Sequence, residues 1–478
     1  MNSLYLFLFP LALSGMAYLS GKKAALQQIL ALAGLLGSGA LLYLANSRGL
    51  SDQQVNYPWI TSLGIHFSLE INGLNFWFLA LNALVCFIAL FYHINQASKN
   101  LRPDVVVLIF GVQAILNGVF MAQDLMLFYF LFEASILPVY FISSRYGSPA
   151  AERATLKFFL YTLFGSLFML LAILYLYAKS GANDFLFSSL FADNLPAETQ
   201  GWIFLAFFLA FAIKMPLFPF HSWQADAYAE SPVESTILMS GILLKMGIYG
   251  MLAIVLPHFP QGVTDYGHIF MGLSAFGVVY GALIAMVQYD FRRVLAFSSL
   301  SHVGLIGCGI LAYSDVALEG VILQMFAHGV NIAGLFVVSE LIASGAGTRD
   351  LDQMGGLSRQ SFGLTVFFFI FLLGSIAVPL TNGFPGEFQL LMGLFGYNIY
   401  LGIFCGLTVI FSSVYMIRLF QKSMLGLETD GRAAFPKLNA SQTFSLFLLA
   451  ALVLGLGLYP QVISRISNSA VQVLLRAY

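Results

Sequence analysis

Four ionisable side chains stand in stretches that are otherwise apolar: Glu133 in Leu131-Phe-Glu-Ala-Ser135, Lys214 in Ala212-Ile-Lys-Met-Pro216, Lys245 in Gly241-Ile-Leu-Leu-Lys-Met-Gly247, and Glu387 in Gly383-Phe-Pro-Gly-Glu-Phe388. His302 and His328 lie in two further apolar stretches. Carboxylates, amines and imidazoles share one chemistry that needs no cofactor, the uptake and release of protons. A charge at mid-bilayer costs from about 3 to more than 10 kcal/mol, so each such residue requires a partner or a task. Burial narrows the gap between charged and neutral forms of lysine and carboxylate alike, which makes proton exchange feasible. If Glu133 approaches Lys214 to about 4 Å, an effective dielectric near 20 couples them by about 4 kcal/mol. Separating such a pair pushes the lysine's proton onward. A static ion pair fixing helix register accounts for these two residues but less well for Lys245 and Glu387. Each histidine, taken singly, also suits a satisfied polar position in a helix bundle.

These groups need a scaffold that lives in lipid. Of 478 residues, 59% are hydrophobic and 9% charged, with a mean hydropathy of +0.86, which excludes a soluble globule and implies a polytopic membrane protein. The net charge of -1 offers no basic field for nucleic acid, and Cys86, Cys308 and Cys405 stand singly in apolar runs, so disulfide frameworks and cysteine metal sites are not expected. No metal site or phosphate-binding loop is expected either; Gly34-Leu-Leu-Gly-Ser-Gly39 reads as close helix packing.

Windows of about 20 apolar residues predict fourteen spans, at roughly 2–20, 26–45, 71–92, 104–122, 124–144, 154–178, 201–229, 233–256, 266–288, 294–313, 316–343, 362–395, 398–422 and 442–460, then a short amphipathic tail. The first span lacks a basic leader and a cleavage site, so a removable signal peptide is not expected. Under this threading fifteen Lys and Arg fall on one side, among them Lys22, Lys99, Arg292, Arg293, Arg359 and Arg432, and four on the other; Lys214 and Lys245 are the two inside spans. The positive-inside rule then places both termini on the non-cytoplasmic side.

Spans seven and twelve are interrupted alike, by Pro216 and Pro219 and by Pro379, Gly383 and Pro385. The two Ile-x-x-Pro-Leu strings are offset by 163 residues and the glutamines Gln123 and Gln288 by 165, which suggests an internal duplication. A five-helix unit has an odd number of spans, so its second copy is inverted. The expected organisation is 1–103 (helices one to three), 104–256 (first repeat), 266–424 (inverted second repeat) and 425–478 (helix fourteen and tail). The fold class is therefore an all-α polytopic membrane protein with two inverted five-helix repeats and broken helices seven and twelve.

The stretch from Lys214 through His221-Ser-Trp-Gln-Ala-Asp-Ala-Tyr228 to Glu234, with Gly241 to Gly250 and Gln288-Tyr-Asp-Phe-Arg-Arg-Val to His302, resembles the antiporter-like subunits of respiratory complex I and of multi-subunit cation/proton antiporters. The resemblance covers nearly the whole chain. Gly386-Glu387-Phe388 is similar to the M-type chains, which carry glutamate where other types have lysine. By this likeness Glu133 and Lys214 match a modulating pair, Lys245 a central lysine, His302 and His328 connecting positions, and Glu387 the terminal proton carrier. Gln224-Ala225 stands where relatives usually have Leu-Pro, and Tyr228 where many have His; both are expected at the channel mouth.

The resemblance implies a proton-translocating subunit of an NADH:quinone oxidoreductase in a bacterial inner membrane. It has no cofactor of its own; NAD, flavin, iron-sulfur clusters and quinone are expected on partner subunits, among them related antiporter-like chains. Two rivals stay open. One is a subunit of a cation/proton antiporter or membrane-bound hydrogenase-type complex, although a sodium site wants clustered carboxylates and Glu133 and Glu387 are far apart in sequence. The other is a scaffold that moves nothing, which would have no reason to keep lysines at mid-membrane.

Overall fold

Lipid offers no hydrogen bonds to a bare backbone, so apolar stretches of this length close their own as helices. The computed structural model describes residues 2–50, 54–96, 101–191, 195–426 and 437–476. Lys99, Arg432 and residues 427–436 of the expected last segment lie outside the described residues. In chain order the elements are α1 (Asn2–Ser20), α2 (Ala24–Ser47), β1 (Val55–Ile60), β2 (Ile65–Leu69), α3 (Phe76–Gln96), α4 (Pro103–Met121), α5 (Leu125–Ala134), α6 (Ile136–Tyr146) and α7 (Ala151–Ser180). Next come α8 (Phe187–Leu190), α9 (Ala197–Lys214), α10 (Gln224–Glu230), α11 (Val233–Leu238), α12 (Lys245–Gly250), α13 (Leu256–His258), α14 (Pro260–Val287), α15 (Phe291–Ala312) and α16 (Asp315–Ala346). The last are α17 (Leu357–Gln360), α18 (Phe362–Ser375), α19 (Gly383–Tyr397), α20 (Ile399–Met424), α21 (Ala440–Leu458) and α22 (Gln461–Leu475).

Among the described residues twelve helical segments are long and apolar enough to cross a membrane, counting 125–146 and 233–258 as one each. Spans seven and twelve of the sequence reading are not among them, because each is split, into α9 and α10 and into α18 and α19. The chain is an all-α multi-pass membrane protein. Its β1–β2 hairpin, which the sequence reading did not pick up, turns at Gly64 with φ +67°, where a side chain would also strike the carbonyl of Asn183.

Polar side chains start several helices by capping free amides. Asp124 accepts from Met126 and Leu127 at α5, Ser314 from Ala317 at α16, and Asn398 from Tyr400 and Leu401 at α20. The glycines of the 34–39 stretch pack as expected at two positions: a Cβ at Gly34 would meet Phe110 at 3.0 Å, and one at Gly37 would meet Phe9 at 2.5 Å.

The chain forms two compact units, residues 1–215 with 242–270 and 466–478, and residues 216–241 with 271–465. In the first, α1 to α7 pack on one another, α7 also packs on α9, and α12 packs on α9 and α4. In the second, α16 is wrapped by α15, α18, α19 and α21. Glycines allow the α16–α19 approach: a Cβ at Gly386 would lie 2.7 Å from the Gln324 amide nitrogen and 2.8 Å from its Cα. Backbone cannot yield as a side-chain tip can, so Gly386→Val should cost about 1–3 kcal/mol of stability. A lowered thermal midpoint of the solubilised protein checks this. Gly396→Ala on the same helix, with nothing within 4 Å of the added carbon, should leave the midpoint unchanged.

Candidate functional site

The first unit holds Glu133, Lys214 and Lys245. Pro138 has no amide hydrogen to give the carbonyl of residue 134, and the helix is interrupted between α5 and α6 at Ser135, one turn before the proline. That places a hydroxyl two residues from Glu133. Lys214, at the end of α9 where Pro216 stops the helix, is 2% exposed and donates through Nζ to Ser135 Oγ at 3.3 Å. Its ammonium also lies 4.8 Å from the Phe132 ring centre and 5.7 Å from that of Phe158, a setting that favours a cation. Glu133 is half-buried, with Ser166 as hydrogen-bonding neighbour, and the charge of Lys214 acts on it. Each charge therefore has its own hydroxyl, and the two interact through space instead of being clamped.

Lys245 is fully buried at the start of α12, between π-helical turns at Met239–Leu243 and Met251–Val255. Such turns recur at functional sites because they misalign the backbone ladder and re-aim side chains. Gly247 presses α12 onto the end of α9, since a Cβ there would meet the Phe211 carbonyl at 2.6 Å and Met215 Cβ at 2.9 Å. Tyr249 packs its ring on Phe78 and Phe120.

The second unit brings together His302 on α15, His328 on α16 and Glu387 on α19. His302 Nδ1 lies 4.0 Å from Glu387 Oε2, and the two imidazole centres are 6.0 Å apart. Glu387 sits in the second turn of α19, just after the break marked by Pro379 and Pro385, and is buried. A cavity of about 10 Å³ for the centre of a water-sized sphere is lined by Ser298, His302, Gln324, His328, Asn331 and Ser375, room for about one water. Among the described residues, both ring nitrogens of His302, Gln324 Oε1, Asn331 Oδ1 and both Glu387 carboxylate oxygens lack a hydrogen-bond partner. Buried polar groups of this kind are where water is held.

Gln324, Asn331, Ser135 and Ser166 were not singled out from sequence. Gln324 and Asn331 recur with the expected His328 at i, i+4 and i+7, one helix face, which is the signal that identifies the cavity wall. Ser135 and Ser166 carry no comparable signal. Two expectations are corrected. Gln224 and Tyr228, expected at a mouth, are 2% and 0% exposed, with Tyr228 packed on Trp223 and Phe336; an aromatic ring surrounded by rings is driven inward. Arg292, counted as a loop residue, is 6% exposed, pairs with Glu340 and donates to the carbonyls of Ala229 and Ser231 at the end of α10.

The transmembrane family model of NADH:quinone oxidoreductase and Mrp antiporters matches residues 122–412. The NADH-quinone oxidoreductase subunit M of Rickettsia typhi is 33% identical over 420 residues, covering 88% of this chain and 85% of the relative. That of Escherichia coli K12 is 32% identical over 444 residues, covering 90% and 86%. A chain of respiratory complex I from Thermus thermophilus with bound NADH superposes with a TM-score of 0.90 at 28% identity, covering 100% of this chain and 99% of that one. The Mrp complex from Dietzia shares the fold, with a TM-score of 0.86 at 19% identity over 98% of this chain and 52% of that one. The chain belongs to the NADH:quinone oxidoreductase/Mrp antiporter transmembrane family.

Proposed function

We propose that the chain is the M-type, proton-translocating membrane subunit of a redox-driven NADH:quinone oxidoreductase. The observation that carries this reading is the second unit's buried His302–Glu387 pair beside a polar cavity, a costly arrangement with no packing purpose. The subunit M relatives support the complex. In this reading Glu133 and Lys214 form a modulating pair, Lys245 is the central carrier, His302 and His328 connect, and Glu387 is the terminal carrier. The proton is both substrate and product. NADH, flavin, iron-sulfur and quinone chemistry belongs to partner subunits, related antiporter-like chains surround this one, and the two five-helix repeats are inverted copies.

Isolation of the chain with its neighbours tests the reading. Peripheral flavin and iron-sulfur subunits should co-purify; a small all-membrane set would select a cation/proton antiporter instead. We also place the protein in the bacterial inner membrane with both termini outside the cytoplasm. Single cysteines introduced at Lys22 and Arg359 should then label from the cytoplasmic face and one in α22 from the other, with little background because Cys86, Cys308 and Cys405 are buried. Labelling of Lys22 and Arg359 sites from outside would overturn the threading.

A further inference from the structure

Helices α7 and α9 run together where Gly165 sits: a Cβ there would meet Ile213 Cδ1 at 2.8 Å and Ala210 Cα at 3.3 Å. Towards the end of α7 and the start of α9 they part, and a groove of about 460 Å³ opens between them. From Gly165 to Tyr175 is about 15 Å along the helix, the hydrocarbon depth of one leaflet.

The walls change chemistry along this axis. Towards Gly165 the walls are apolar, formed by Phe168, Leu171, Ala172 and Ile203, of which Ala172 and Ile203 are buried. The rim is aromatic and amphipathic, with Tyr175 at 43% and Trp202 at 74% exposure, the residue types that settle at the level of lipid headgroups. At the mouth stands Glu198, and one turn beyond Tyr175 the Lys179 ammonium lies 5.9 Å from the tyrosine ring. An anion and a cation thus flank the opening of an apolar slot.

We propose that this groove binds one phospholipid with a zwitterionic, primary-amine headgroup: an acyl chain lies between α7 and α9, Lys179 meets the phosphate and Glu198 accepts hydrogen bonds from the ammonium. A phosphatidylethanolamine offers charged N–H donors to the carboxylate; a choline headgroup has no such donor, and a glycerol headgroup offers only neutral hydroxyls, whose hydrogen bonds to Glu198 are weaker than those of an ammonium. No covalent step is involved.

The test uses the whole complex in nanodiscs of equal phosphatidylethanolamine and phosphatidylglycerol, each supplied in turn with a photoactivatable acyl chain, and maps adducts by mass spectrometry. Adducts on Leu171, Ala172 and Ile203 should favour phosphatidylethanolamine by about threefold over the ratio at Leu36, an exposed residue of α2. Glu198→Gln, a change at an exposed carboxylate, should remove the preference while leaving labelling at Leu36 unchanged. Equal labelling by both lipids in the unmodified protein would overturn the proposal. So would capture of a neighbouring polypeptide by a photoreactive amino acid placed at Trp202, since the groove would then be filled by protein.

Discussion

Glu387→Gln is expected to abolish NADH-driven proton uptake into vesicles while the complex assembles in normal yield. Glutamine keeps the volume and shape of glutamate, and neither carboxylate oxygen has a hydrogen-bond partner among the described residues to lose. It cannot carry a proton. Positioned proton-transfer groups contribute about 10²- to 10⁴-fold, so uptake through this chain should fall at least about a hundredfold. Proton uptake and native-gel yield, measured on the same preparations, decide the matter. Normal uptake would remove Glu387 from the relay; lost assembly would favour a scaffold.

The second large effect concerns Glu133 and Lys214. Each has its own hydroxyl, Ser166 for the carboxylate and Ser135 for the ammonium, and the two charges act on each other through space. Glu133→Gln leaves a buried ammonium uncompensated, and Lys214→Met leaves a carboxylate so, and each single change should impair turnover severely. Removing both eliminates the uncompensated charge. The double variant should therefore cost less than the two singles together, with a coupling of about 1–3 kcal/mol, roughly five- to 150-fold in rate. Quinone-reductase turnover and vesicle pH, read across all four proteins, give that value. Strict additivity would mean that the pair does not communicate. The swap Glu133→Lys with Lys214→Glu adds a direction test: a static pair tolerates it, whereas a relay fails because a carboxylate at 214 retains the proton of its neighbour.

Much of this was legible in the chain because the costs are large. Charges in lipid are expensive, so Glu133, Lys214, Lys245 and Glu387 stood out against an apolar background, and prolines at 216, 219, 379 and 385 announced two broken helices that the fold contains. What escaped notice rests on cheaper local events. The interruption at Ser135 follows from one proline three residues on, a pattern that also occurs in merely kinked helices. The π-helical turns around Lys245 have no propensity signature. Gln324 and Asn331 are ordinary polar residues until α18 and α19 close over them. The burial of Arg292 depends on Glu340, 48 residues away, and on carbonyls at the end of α10, partners that no local window joins.

The most direct measurement places the assembled complex in sealed vesicles, starts the reaction with NADH, and follows internal pH and sodium together with quinone reduction, for the unmodified protein and for Lys245→Met. Lys245 is fully buried in the first unit and is the central carrier of the proposed relay. Proton translocation through this chain predicts NADH-dependent proton uptake that collapses in Lys245→Met, with no sodium movement in either protein. Undiminished proton uptake in Lys245→Met, or sodium exchange that proceeds without NADH, would contradict it.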